Sequence, residues 1–143
     1  MVRSLAFACV AVVTLACSSL AYADIHDSAP ADEYFGPLKE SILGIRNRLV
    51  AYEHKAASDL LVTGSVRGID NVELAIEDWD HHYPRDPWLA GFMDRTLHIY
   101  GRAHALETEG AHRCLALLER GFPGTLQAKD AVVYVGHMKR ERR

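Results

Sequence analysis

The 143-residue chain carries 16 basic residues, 19 acidic residues and eight histidines, for a formal net charge of −3. A mildly acidic chain has no electrostatic reason to bind nucleic acid, which is held by clustered Lys and Arg releasing condensed counterions. The length suits one ordinary domain, and three cysteines are too few for a disulfide-built scaffold.

The N-terminus reads as an export signal. Arg3 supplies a positive n-region, Leu5 to Ala16 an apolar stretch, and Ala21-Tyr22-Ala23 the small-residue pattern that a signal peptidase cuts. Residues 1–23 are therefore expected to be removed, leaving a chain that begins near Asp24 and works in the periplasm or as a secreted protein. An uncleaved anchor needs roughly 20 apolar residues, and Ser18 and Ser19 interrupt that run. Lipidation at Cys17 is a third possibility, but Thr14 stands where a lipobox places Leu. No membrane span is expected after cleavage. Cys9 and Cys17 leave with the signal, so Cys114 remains without an internal disulfide partner. A C-x-x-C-H haem-attachment motif is absent, and no cofactor is expected.

Residues 24–31 form a short polar lead, expected to be disordered. Residues 32–136 read as a single all-α domain of antiparallel helical hairpins. Phe35, Leu38, Ile42, Ile45, Leu49 and Tyr52 fall at alternating spacings of three and four, which predicts a helix near 33–55 with Pro37 in its first turn. Gly64 and Gly68 punctuate a loop over 56–68. A second helix is predicted near 70–83, capped by Asp70 with Glu73 three residues on and stopped by Pro84. Asp86 and Pro87 open a third near 87–104, and a fourth spans 109–122 up to Pro123. Thr125 caps a fifth segment whose Val132-Val133-Tyr134-Val135 run suits a strand as well as a helix. Residues 137–143 form a basic tail, expected to be solvated and frayed. The predicted interior contains Ile42, Ile45, Leu49, Ile76, Trp79, Phe92, Leu115 and Leu118.

Two helix ends echo one another. Ile76, Trp79, Tyr83 and Pro84 match Leu115, Leu118, Phe122 and Pro123, each pair 39 positions apart, and a cap follows in both cases. In this pattern residues 70–135 resemble tetratricopeptide-repeat (TPR) proteins of the bacterial envelope, with Ala111 and Tyr100 at positions like the family's small and aromatic residues. Departures are a spacing longer than the family's 34, Leu97 where a small residue is expected, and Leu118 in place of the later Ala. The resemblance implies stacked hairpins whose grooves bind peptides; a simple small helical bundle is the alternative fold.

Candidate chemistry is sparse. Eight histidines raise the possibility of a His-rich periplasmic metal-binding protein, with Asp78, His81 and His82 as the ligands to consider, because Asp78 and His82 stand four apart on one helix. The bland account makes them the solvated side of the second helix, with Trp79 buried between. His112 and Cys114 are two apart and diverge. Cys114 on an apolar face suits a small core residue better than a nucleophile. No nucleophile elbow or phosphate loop is present. The expected function is thus a non-catalytic helical scaffold that binds another envelope protein or peptide, with Arg85, Tyr100 and Arg102 as partner-binding residues.

Overall fold

The computed structural model describes residues 28–61 and 63–141. The export signal, its cleavage site, Cys17, the first part of the polar lead and the last two arginines lie outside the described residues. Among the described residues the fold is all-α: five helices, preceded by a two-residue strand pair.

The first expectation to fall is the helix start near residue 33. Tyr34–Phe35 (β1) and Glu40–Ser41 (β2) pair antiparallel, with Tyr34 opposite Ser41 and Phe35 opposite Glu40. Gly36 and Pro37 make the turn between them: Gly36 has φ +70°, and the Lys39 N–H bonds the Gly36 carbonyl at 3.2 Å. Turn chemistry overrides the apolar periodicity that runs straight across it. Gly36 is also pressed on α2, where a Cβ would come within 2.6 Å of the Ala75 Cα. Helix α1 (Ile42–Ala57) then begins after Ser41, whose side chain caps the Gly44 N–H at 3.2 Å. It ends in a Schellman arrangement, with Asp59 at φ 51° and Leu60 N–H bonded to the Lys55 carbonyl at 2.8 Å.

A single 3₁₀ turn, Thr63–Ser65, leads into α2 (Val66–His82), which begins earlier than expected. Asp70 is not its cap. It lies inside the helix and accepts the Tyr100 hydroxyl at 2.6 Å. Helix α3 (Leu89–Arg102) follows a turn in which Asp86 Oδ1 accepts the Trp88 N–H at 3.0 Å. It too ends in a Schellman arrangement, at His104 with φ 54°. Helix α4 (Glu109–Gly121) is capped by Thr108, and α5 (Leu126–Glu141) starts where Thr125 accepts the Ala128 N–H at 3.2 Å. The fifth segment is therefore helix rather than strand, and residues 137–141 of the expected tail belong to it.

The 39-residue echo is geometric as well as sequential. Tyr83 and Phe122 leave their helices at φ −133° and −129°, bonding the Trp79 and Leu118 carbonyls respectively. The next turns repeat as well: Asp86 N–H bonds the Tyr83 carbonyl at 3.0 Å and Thr125 N–H the Phe122 carbonyl at 3.2 Å.

Helix α3 is the hub, packing against each of the other four helices, while α1 also meets α2, and α4 meets α2 and α5. Ile45, Leu49, Ile76, Trp79, Phe92 and Leu118 are buried as predicted, whereas Ile42 and Leu115 are only partly covered. Phe35 stacks on Trp79 at 5.9 Å between centroids, and Phe92 meets the indole edge-on at 5.2 Å, so the hairpin closes the end of the core. Trp88, just ahead of α3, is 66% exposed. Glu73 is buried and held by two Arg113 N–H groups at 3.0 and 2.5 Å, and Glu40, also buried, pairs with Arg48 at 3.0 Å. Burial pushes the Glu73 carboxyl above its ordinary range while Arg113 opposes that shift.

Candidate functional site

Helices α1, α3 and α5 lie in sequence, α3 in the middle, and a groove of about 410 Å³ runs between them. Glu53, Ala56 and Ala57 contribute from α1; Asp94, Arg95, His98, Ile99 and Arg102 from α3; Asp130 from α5. The spacing of Asp94, Arg95, His98 and Arg102 by ones, threes and fours places them along one side of α3. The opposite side of that helix, with Met93, Leu97 and Tyr100, is buried.

Arg95 ties α1 to α3. Its Nε and Nη2 donate to the two Glu53 carboxylate oxygens at 2.6 and 2.8 Å, a bidentate pair that leaves this guanidinium little free donor capacity. That hydrogen bonding holds the Glu53 carboxyl below its ordinary range and raises Arg95 further.

Across the groove, His98 Nε2 lies 3.1 Å from Asp130 Oδ2 and 3.7 Å from Asp94 Oδ1. The imidazole stacks on Tyr134 of α5 at 3.9 Å between centroids and 23° between planes. Gly101 makes room for that tyrosine, since any Cβ there would collide with its hydroxyl. Asp94 is the less exposed of the two carboxylates. Its Oδ1 is buried without a hydrogen-bond partner, and burial pushes its carboxyl upward. A second hollow of about 500 Å³ opens on the far side of the same carboxylates, bounded by Leu126, Lys129 and Val133.

The residues singled out in the sequence are not brought together. Arg102 is exposed on the groove. Arg85 stands exposed on the α2–α3 turn, outside the groove lining. Tyr100 is fully buried with its hydroxyl spent on Asp70, so it serves the interior and cannot meet a partner. Its position on the inner side of α3, beside Gly110 of α4, is the reason.

Of the alternative metal set, Asp78 and His82 meet, Nδ1 lying 3.4 Å from Oδ1, but the three residues do not form a cluster of ligand atoms. Asp78 Oδ2 accepts the Gly36 N–H at 2.7 Å, anchoring the hairpin turn to α2. His82 Nδ1 turns back to the Asp78 carbonyl at 2.8 Å, and His81 is exposed with its ring edge-on to His82. Among the described residues the three whose ligand atoms lie within 4.8 Å of one another are Asp94, His98 and Asp130. Asp94 and His98 carry the same i, i+4 signal as Asp78 and His82, but Asp130 comes from 32 residues further on and has no local mark. Cys114 is buried, and desolvation pushes its thiol well up, which makes it an inert interior group.

Comparison with known proteins finds no matching family model, no matching curated protein and no matching solved structure.

Proposed function

We propose that this chain is a non-catalytic helical interaction module, exported to the bacterial periplasm or secreted, that holds a segment of another envelope protein in the α1–α3–α5 groove. The observation that carries the proposal is the placing of half-buried and exposed charged side chains from α1, α3 and α5 along one groove, with Arg102 and Asp130 exposed. Stacked hairpins produce such a face when alternate helices neighbour one another, and grooves of this kind take extended or helical peptides without reactive groups. The packing order, with α1 on α3, α3 on α5 and α2 on α4, supports a TPR-like stacking of the hairpins. So does the repeated stop geometry at Tyr83 and Phe122.

Within the groove, Arg102 is an exposed cation at the C-terminal end of α3, and Ala57 is a small exposed residue on the facing wall. Arg102→Glu reverses a charge and Ala57→Arg adds bulk, and neither touches the core. Both variants should keep the wild-type circular dichroism spectrum and melting point while recovering less crosslinked partner from the native host. Arg85→Ala, outside the groove, should recover as much as wild type. Undiminished recovery by both groove variants would place the partner surface elsewhere. A robust turnover assay on the purified chain would reject the non-catalytic class altogether.

A further inference from the structure

We propose that Asp94, His98 and Asp130 form a binding site for one divalent transition-metal ion, zinc first among them, that pins α5 to α3. The donor set is one imidazole nitrogen and two carboxylate oxygens, the mixture that zinc and its neighbours accept. A tetrahedral ion with bonds of about 2.1 Å spaces its ligand atoms by about 3.4 Å. Here the Nε2–oxygen separations are 3.1 and 3.7 Å, and the three ligand atoms lie within 4.8 Å of one another.

Three further features suit an ion at this place. Asp94 and His98, one helical turn apart, project from the same side of α3, and Asp130 faces them from α5. The stacking of His98 on Tyr134 fixes the plane of the imidazole and thereby aims Nε2 at the two carboxylates. Asp94 Oδ1, buried and without a hydrogen-bond donor, would gain a directly bound cation. The two carboxylates carry a charge that a divalent ion cancels. Of the nearby cations, Arg95 is committed to Glu53, while Lys129 and Arg102 border the adjoining hollows. Three protein ligands leave one tetrahedral position for water.

A protonated His98 bridging the two carboxylates needs no metal, and the experiment separates the two arrangements. The purified full chain is stripped with chelator and titrated with Zn²⁺ alone, against a competing chromophoric chelator and by thermal melting. One equivalent should bind and raise the melting point. His98→Gln and Asp130→Asn should each weaken binding by at least about tenfold, since even outer partners of metal ligands are worth that much. Asp130 is exposed, so its variant tests the site without disturbing the fold. The His81→Gln, His82→Gln double variant should bind as wild type. Absence of zinc binding, or binding unchanged in the His98 and Asp130 variants, would overturn the site. Metal alone is the probe, so the result is independent of partner capture.

Discussion

The indole Nε1 of Trp79 donates to the carboxylate of Asp86 at 3.1 Å, across the turn that joins α2 to α3. Asp86 is itself buried, and its oxygens also accept the Ala29 N–H at 2.9 Å and the Trp88 N–H at 3.0 Å. One carboxylate thus fastens the core tryptophan, the start of the described chain and the turn ahead of α3. Replacing it strands the buried Trp79 Nε1–H and two part-buried backbone N–H groups, and a buried donor without an acceptor is costly. Asp86→Ala should lower unfolding free energy by roughly 3 kcal/mol. Asp86→Asn, which keeps one acceptor oxygen, should lose less. Urea unfolding followed by tryptophan fluorescence measures both.

The two leucines of α4 should separate cleanly. Leu118 is fully buried, whereas Leu115 is only partly covered. Leu118→Ala should cost about 2–5 kcal/mol through the cavity it leaves, and Leu115→Ala distinctly less. Equal losses measured by denaturant titration would contradict the assigned burial.

Much of the fold was legible because its punctuation is local. Pro84 and Pro123 follow the ends of α2 and α4 where the chain says they should, and Thr125 caps α5. The hairpin at Tyr34–Ser41 was not legible, because Phe35, Leu38 and Ile42 continue the helical spacing on both sides of a Gly-Pro turn. The Gly36-Pro37 turn and tertiary contact, Phe35 on Trp79 and Gly36 on Ala75, together decide between the two. The fifth helix was ambiguous for the opposite reason: its β-branched run suits either state, and docking on α3 and α4 settles it. The site was half legible. Arg102 was found as an exposed cation late in α3, but Tyr100, two residues earlier, turns inward to Asp70. Asp130 meets His98 only because α5 folds back beside α3, and no spacing within one helix encodes that.

Two helical glycines should respond oppositely to the same change. A Cβ on Gly110 would collide with the hydroxyl of Tyr100, which cannot retreat because Asp70 holds it at 2.6 Å. Gly110→Ala should therefore destabilise by about 1–3 kcal/mol, in spite of alanine's better helix propensity. Nothing lies within 4 Å of a Cβ on Gly91 in α3, so Gly91→Ala should stabilise by roughly 0.5–1 kcal/mol. Thermal melts of the two single variants give the signs.

The Glu53–Arg95 pair makes a pH-dependent contribution of known sign. Its hydrogen bonds favour the ionised carboxylate, so the folded-state value lies below the unfolded one. The stabilisation is fully present above the unfolded value and disappears as pH falls through the folded one. Both side chains are about a third or more exposed, so the contribution is small, no more than about 1 kcal/mol at neutral pH. Glu53→Gln should melt slightly lower than wild type at pH 7, and the gap should begin to close as the pH falls below the unfolded carboxyl value of about 4.3. A gap that widens on acidification would mean the wrong sign.

The central claim, that the α1–α3–α5 groove is where this chain meets its partner, is tested most directly by site-specific photo-crosslinking in the native host. A photoreactive residue is placed in turn at Ala57 and Arg102, on the groove, and at Ala116, exposed on α4 away from it. The groove positions should yield one common adduct of defined mass on illumination, and Ala116 none. An adduct from Ala116 with silent groove positions, or equal adducts from all three, would contradict the assignment.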